Sequence, residues 1–177
     1  MEIEYDRVKV LLPHRRSQRK SYIHEQAARQ DAEERWNLKF DELYRSAKAV
    51  VNPRRLSEDV EVAGVGAALL TQSGSVYTGV CIDTACSMGF CAEHAAAAAM
   101  ITAGENHVIK MVAVGGDGKV MPPCGRCREF ISQLHPDNLS AEVMVAETTF
   151  VTLQELLPYH WRSTPKQAEE SAINGRM

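Results

Sequence analysis

The sequence predicts an α/β protein whose mixed β-sheet carries helices on its faces. Two observations lead to this prediction. Along the chain, β-prone segments alternate with helical segments in the order helix, two strands, helix, strand, helix, strand, helix, which is typical of a sheet covered by helices. The 177 residues, 45% of them hydrophobic, favour one domain with enough chain to bury a substantial core.

The first half of the chain predicts one helix and one hairpin. Residues 21–51 are interpreted as a helix that ends before Pro53. Its apolar residues recur at three- or four-residue spacing, as on the buried face of an amphipathic helix: Trp36, Phe40, Leu43, Tyr44 and Ala47. Small and β-branched residues over 60–70 and 75–82 predict two strands, with a turn at Gly74 between them.

The second half alternates helices and strands. Residues 91–103 predict a helix that ends at Gly104, and its alanine run would let neighbouring elements approach closely. Apolar runs predict strands at 108–114 and 142–146. Helices are predicted at 125–134 and 153–157, each ending before a proline.

Composition and charge narrow the class of function. A net charge of −3 gives no general reason to expect nucleic acid or an anionic membrane as partner. The basic run at 14–20 is interpreted as a solvated arm, with an acidic partner as the alternative. No window has the apolar length of a membrane span, and no secretory signal is visible. A cytoplasmic location is therefore expected, with reduced rather than paired cysteines.

Three of the five cysteines form a split metal-binding pattern. Cys91 lies at the start of one predicted helix, and Cys124 and Cys127 lie at the start of another about thirty residues later. Helix N-termini favour thiolates, which zinc requires. Three protein ligands leave the fourth tetrahedral position for water, as in a catalytic zinc site. A structural zinc knuckle or a redox pair is the alternative, which the third cysteine and a nearby glutamate disfavour.

Glu93 is the predicted catalytic residue. It follows Cys91 by two positions, too close for both to bind one metal from a helical start, so we expect it to move protons. Three thiolates around one divalent ion leave excess negative charge. Arg126 and Arg128 are therefore expected to supply compensating donors around the ligands.

Three other residues near the cluster are interpreted without a metal-binding role. His94 follows Glu93 on the same helix, so it is expected to point elsewhere and to pack, with a fourth zinc ligand as the alternative. Cys86 is expected to be a buried packing thiol. Cys81 falls outside the zinc pattern as well, and its simplest interpretation is the same.

At these residues the chain resembles the cytidine deaminase family, in its small, three-cysteine, homotetrameric branch. A cysteine followed by x-Glu and then Pro-Cys-x-x-Cys is the signature of zinc deaminases. Further matching segments are 65–69, 77–80 and 155–158. The resemblance implies a three-layer fold, a Zn²⁺ cofactor and a homotetramer. It divides the chain into an N-terminal helical extension (1–40), a zinc-dependent deaminase domain (41–161) and a flexible tail (162–177).

The resemblance also implies substrate contacts. Cys81 and Asp83 occupy the places of the family's Asn and Glu that bind the ribose hydroxyls, and Ala63 replaces a phenylalanine of the nucleoside pocket. A thiol is a poor substitute for an amide, whereas Asp83 can still accept from a hydroxyl. The backbone around Ala92 and Pro123 is expected to hold the edge of the base.

Some features are similar to blasticidin S deaminases, a related branch that lacks the full ribose pair. These features are Arg-Cys-Arg at 126–128, Leu-His-Pro at 134–136 and the aromatic residues Tyr159 and Trp161. The two aromatic side chains could close over a substrate by stacking. Alternatively, they are surface residues that pack against the C-terminal helix.

The function expected from the sequence is hydrolytic deamination of a free cytosine nucleoside, with cytidine or deoxycytidine as first choice. A blasticidin-like or otherwise modified cytosine nucleoside is the second choice. A non-catalytic deaminase-fold binding protein is the alternative from another class, which the complete set of chemical residues disfavours. An editor of polynucleotides is disfavoured because single-strand binders need a positively charged groove.

Overall fold

The computed structural model describes residues 40–163. The predicted N-terminal extension up to residue 39 and the tail from residue 164 lie outside the described residues. Residues 40–49 are helical and are called α1 here. The remaining α-helices are α2 (Ala92–Thr102) and α3 (Gly125–Leu134), and the strands are β1 (Arg54–Ser57), β2 (Val60–Thr71), β3 (Val76–Thr84), β4 (Val108–Gly115), β5 (Glu142–Ala146) and β6 (Thr149–Thr152).

The strands form one mixed sheet in the order β3-β2-β4-β5-β6, with β1 beside the first residues of β2. Only β4 and β5 pair in parallel among these strands; the other pairs are antiparallel. The pairing register of β2 with β3 shifts between Val62 and Gly66. Ala63 lies in this irregularity with φ 60°. The other edge of β2 pairs with β1 over residues 60–62 and with β4 from Val65 onward.

Helices cover both faces of the sheet, because successive side chains of β2 and β4 point to opposite sides. On one face, Ala68, Leu70 and Val112 pack with the apolar side of α1. On the other, Leu69 and Met111 pack with residues of α2 and α3. The three-layer α/β fold expected from the sequence is confirmed. Among the described residues, no helix has the length and apolar character that crossing a membrane requires.

Helix α2 lies unusually close to β3. A Cβ atom at Gly79 would collide with the backbone of Ala92 and Ala96 and with the side chain of Ala95. Glycine on the strand and alanine on the helix together permit this approach. The expectation that the alanine run allows close packing is confirmed, and the contact fixes the first turn of α2 against the sheet.

Six predicted elements agree with the structure to within one or two residues: the hairpin strands, the helices at 91–103 and 125–134, and the strands at 108–114 and 142–146. The helix predicted at 153–157 is wrong, because this segment forms turns. The Glu155 carboxylate accepts from the backbone N–H of Thr152 at 2.6 Å and from its hydroxyl at 2.8 Å. Pro158 then removes a donor before a regular helix can develop.

Asn138 ties α3 to the sheet, and its replacement should destabilise the protein. Its fully buried side chain accepts from Val108 N at 2.8 Å and donates to Ile131 O at 2.9 Å and to Asn106 O at 3.1 Å. We expect Asn138→Ala to lower the free energy of unfolding by about 2–4 kcal/mol, because buried backbone groups lose their partners.

Chemical denaturation at fixed protein concentration measures this loss. Asn106→Ala is the matched control, since Asn106 is exposed and donates to Leu134 O from the surface. The control should change stability by no more than about 0.5 kcal/mol. Equal losses in the two variants would contradict the structural role given to Asn138.

Candidate active site

The three cysteines predicted as metal ligands meet at one point. The sulfur of Cys124 lies 3.6 Å from that of Cys91 and 3.5 Å from that of Cys127. All three sulfurs lie within 4.8 Å of one another. Tetrahedral zinc with bonds of about 2.3 Å to sulfur holds its thiolates about 3.8 Å apart. The donor set and its spacing therefore fit Zn²⁺.

Helix N-termini position these ligands, as the sequence predicts. Cys91 is the N-cap of α2 and Cys124 is the N-cap of α3, both with extended backbone. Cys127 follows within the first turn of α3 and is fully buried. Two helix N-termini thus direct their positive dipole ends at the sulfur cluster, which favours thiolates.

The pKa values of the thiols reflect their crowding. Burial, followed by the bond with Cys124, raises the pKa of Cys91, and burial followed by the charge of Glu93 raises the pKa of Cys127. Burial also acts to raise the pKa of Cys124, but hydrogen bonds, led by the backbone N–H of Cys127, bring it below the ordinary value. A divalent cation between the sulfurs offsets the cost of placing several thiolates together.

Glu93 occupies the first turn of α2 and is only 5% exposed. Burial raises the pKa of its carboxyl group. It lines the same cavity as Cys91 and Cys124. A carboxyl group beside a metal-ligand cluster, partly desolvated and open to a cavity, is suited to accept and return protons.

His94 does not point away from the cluster, so that expectation is wrong. Its Nδ1 lies 3.3 Å from the sulfur of Cys127, and its ring stacks on Phe130 with centroids 4.5 Å apart. The expectation of a packing role is supported by the stack. The His94 side chain was expected to point away from the cysteines, but α3 approaches α2 from the side that His94 faces and brings Cys127 to it.

The two arginines expected to compensate the thiolates bind backbone carbonyls. Arg128 Nε donates to Pro123 O at 2.7 Å, and its Nη1 donates to Leu156 O at 3.2 Å. Arg126 Nη1 donates to Gly89 O at 3.4 Å. Arg128 thus holds the loop that leads into Cys124, and Arg126 lies at the wall of the cavity.

A cavity of about 330 Å³ adjoins the cluster. Of the predicted substrate contacts, Cys81, Asp83 and Ala92 line it. Pro123 does not: it is buried and its carbonyl is taken by Arg128, and Pro122 lines the cavity in its place. Several other residues line the cavity without having been predicted as substrate contacts: Val65, Gly89, Phe90, Ala113, Met121 and Pro122.

The sequence positions of two of these residues, Phe90 and Val65, could have indicated that they line the cavity. Phe90 immediately precedes the first ligand cysteine, and an aromatic residue at that place is suited to pack on a planar base. Val65 opens a matching family segment. The cavity wall at this point is Val65, whereas Ala63 is buried in the bulge of β2 and does not line the cavity.

Cys81 and Asp83 lie next to each other in the cavity wall. The thiol of Cys81 is 3.6 Å from Asp83 Oδ2, and its sulfur accepts from the backbone N–H of Val65 at 3.3 Å. Cys81 is 7% exposed, as expected for a packing thiol. Cys86 differs, because it is exposed and has φ 62°, so the prediction that it is buried is wrong.

The aromatic pair near residue 160 lies outside the cavity lining in this chain. Tyr159 is fully exposed. Trp161 donates from Nε1 to Glu129 Oε1 at 2.7 Å, which anchors it to α3. The described chain therefore does not itself form the aromatic lid that the sequence suggested as one possibility.

Comparisons with known proteins agree with this geometry. Residues 40–143 match the family model for the cytidine and deoxycytidylate deaminase zinc-binding region. A cytidine deaminase of Halalkalibacterium halodurans is 35% identical over 98 residues, 53% of this chain and 74% of that protein. A blasticidin-S deaminase of Bacillus cereus is 31% identical over 103 residues, with the same two coverages.

Solved structures match as well. The crystal structure of cytidine deaminase from Mycobacterium tuberculosis superposes with a TM-score of 0.58 and 26% identity, covering 68% of this chain and 94% of that chain. The cytidine deaminase from Mycobacterium leprae gives a TM-score of 0.57 and 26% identity, covering 67% and 97%.

With its cysteine cluster, its buried glutamate and these matches, the protein is a zinc-dependent deaminase. The family model spans more than half of the chain, so the chain belongs to the cytidine and deoxycytidylate deaminase family. At the level of the family, its reaction is zinc-dependent deamination of cytosine.

Proposed function

We propose that the protein hydrolyses the 4-amino group of a free cytosine nucleoside, cytidine or deoxycytidine, and releases ammonia. One observation carries this proposal: a single cavity is lined by Glu93 and two of the ligand cysteines, Cys91 and Cys124, and also by Asp83 and Cys81. Glu93 and the zinc held by the cysteines can deaminate the base. Asp83 provides a carboxylate that accepts a hydrogen bond from a sugar hydroxyl.

Each residue has a defined part in the reaction. Zinc, when bound by the three cysteines, acts as a Lewis acid and lowers the pKa of water, which supplies the nucleophile near neutral pH. Glu93 accepts a proton from water as the water oxygen bonds to C4, and it passes that proton to ring nitrogen N3. It then takes the proton of the new hydroxyl on C4 and passes it to the amine, which leaves as ammonia when the C4–N bond breaks. Phe90 and Val65 enclose the base, and the backbone at Ala92 holds its edge.

The proposal includes the oligomeric state of the protein. The protein forms a homotetramer, as its resemblance to the three-cysteine branch implies, with α2 near a shared contact. The outer side of α2 supports this arrangement, because Ala98, Ala99 and Ile101 are exposed there. In such an assembly Tyr159 and Trp161 would be available to a neighbouring subunit. A monomeric mass by light scattering would contradict the assembly.

A modified cytosine nucleoside such as blasticidin S is the second candidate. The specific observation in its favour is Cys81, a thiol where the resembling cytidine deaminases place an amide for the ribose. The similarity to the Bacillus cereus blasticidin-S deaminase supports it too. Ammonia release from cytidine, deoxycytidine, cytosine and blasticidin S, measured side by side, distinguishes the candidates.

Restoring the ribose contacts should improve the use of cytidine. We expect Cys81→Asn with Asp83→Glu to raise kcat/KM for cytidine several-fold to about tenfold or more, since a hydroxyl contact contributes about 0.5–1.5 kcal/mol and more to a charged acceptor. An amide and a longer carboxylate would again reach the hydroxyls. Steady-state kinetics on cytidine measures the effect.

The control for this experiment is Cys86→Asn, which makes the same change at an exposed cysteine outside the cavity. It should leave kcat/KM unchanged. A double variant with reduced cytidine activity, or a native protein already as efficient as typical cytidine deaminases, would mean that positions 81 and 83 do not set specificity.

A further inference from the structure

The imidazole of His94 is held between the two helices that carry the metal ligands. Its Nδ1 faces the sulfur of Cys127 at 3.3 Å. One face of the ring stacks on Phe130, with an angle of 11° between the planes. Phe130 lies three residues after Cys127 on α3, so the stack and the sulfur contact orient the ring together.

The sulfur cluster needs hydrogen-bond donors. Three thiolates carry three negative charges against the two positive charges of zinc. The resulting excess strengthens electron donation to the metal and weakens its Lewis acidity unless neighbouring groups donate hydrogen bonds to sulfur. The hydrogen bonds described for the guanidinium groups of Arg126 and Arg128 go to backbone carbonyls. The Glu93 carboxyl group also contacts the sulfur of Cys127, but a carboxylate can only accept a hydrogen bond. The ring N–H of His94, with Nδ1 3.3 Å from that sulfur, can donate one.

We propose that His94 is a positioning residue that donates its Nδ1–H to the thiolate of Cys127 and so tunes the zinc centre. A thiolate can only accept, so the hydrogen of this contact resides on Nδ1. The neutral imidazole suffices, and the ring requires no change of protonation. The hydrogen bond withdraws electron density from the sulfur, which preserves the Lewis acidity of the metal.

The first turn of α2 carries both the residue that transfers protons, Glu93, and the residue that donates a hydrogen bond to sulfur, His94. Glu93 and His94 are adjacent at the start of α2, where Glu93 faces the cavity and His94 faces α3. Displacing α2 relative to α3 would therefore disturb the proton shuttle and the sulfur donor together. The inference depends on the zinc cofactor and not on the identity of the nucleoside, so its test uses no substrate.

Two substitutions at position 94 separate hydrogen bonding from packing. His94→Phe keeps an aromatic ring against Phe130 but removes the donor. His94→Asn places an amide N–H near the position of Nδ1 and gives up the stack. Tyr44→Phe is the matched control, because it also keeps an aromatic ring and removes a hydrogen-bond donor. Tyr44 lies on α1 and donates to Gly118 O at 2.7 Å, outside the sulfur cluster.

Two readouts on the purified protein test the proposal. Competition with a chromogenic chelator measures zinc affinity, and the cobalt-substituted protein reports thiolate-to-metal charge transfer by its absorption. His94→Phe should bind zinc about 10- to 100-fold more weakly, as is typical for loss of a partner of a metal ligand. Its charge-transfer band should move to longer wavelength, since a more electron-rich sulfur is easier to oxidise. His94→Asn should restore most of both properties, and Tyr44→Phe should match the wild type.

Wild-type zinc affinity and an unshifted cobalt band in His94→Phe would overturn the proposal. Equal defects in His94→Phe and His94→Asn would overturn it too, because the residue would then act through packing alone. If the phenylalanine variant does not fold, His94→Leu replaces it, since leucine and asparagine have nearly the same shape and differ in the donor. Because cytidine is absent from the experiment, failure of the proposed substrate would leave these results unaffected.

Discussion

Replacing Glu93 by glutamine is expected to lower kcat by about 10²- to 10⁴-fold, the range that general acid–base catalysis supplies. Glutamine keeps the size and most of the hydrogen bonding of the side chain but cannot relay protons. Because Glu93 is not a metal ligand in this account, zinc content and thermal stability should remain near those of the wild type. Ammonia release under saturating substrate, with metal analysis of the same samples, measures both.

A matched control for this variant is Glu155→Gln. It makes the same chemical change at an exposed carboxylate that lies outside the cavity and holds a turn. Its kcat should equal that of the wild type. Near-normal turnover in Glu93→Gln with full zinc occupancy would remove Glu93 from the mechanism.

Replacing Cys124 by alanine should abolish zinc binding and activity together. Cys124 is the middle ligand, with its sulfur at 3.6 Å and 3.5 Å from the other two. Two cysteines alone cannot provide three of the four tetrahedral positions. The loss of affinity should exceed the roughly 10- to 100-fold cost of losing an outer partner of a ligand. Metal analysis of dialysed protein measures zinc per chain.

The control is Cys86→Ala, which removes an exposed cysteine outside the cluster. It should retain one zinc per chain and full activity. If Cys124→Ala also retained full zinc occupancy, the assignment of the three ligands would be wrong.

The zinc ligands could be predicted from the sequence because their geometry is largely local. Cys124 and Cys127 are one helical turn apart, and Cys91 and Cys124 each precede a helix, so spacing alone places their sulfurs at helix N-termini. The buried strands were equally visible, because long runs of small and β-branched residues mark them. The exposed strand β1 carries no such run, and β6 has only four residues, so both were missed.

Other features depend on how distant parts of the chain meet. On an ideal helix His94 lies about 100° from Glu93, which is why it was expected to face away from the metal site. Helix α3 brings Cys127 and Phe130 to that side. In the same way, the exposure of Cys86 and the bond from Arg128 to the carbonyl of Leu156 depend on the path of the chain around them. Residue spacing contains no signal for such contacts.

The most direct test of the account is product analysis with cytidine, using protein that is zinc-loaded, then stripped by a chelator, then reloaded. We expect one uridine and one ammonia for each cytidine consumed by the loaded protein. We further expect this activity to be lost when zinc is stripped and to return when zinc is added back. Failure of the fully loaded protein to release ammonia from cytidine, deoxycytidine or any other cytosine nucleoside tested would contradict the proposal that this cavity is a cytosine-nucleoside deaminase site.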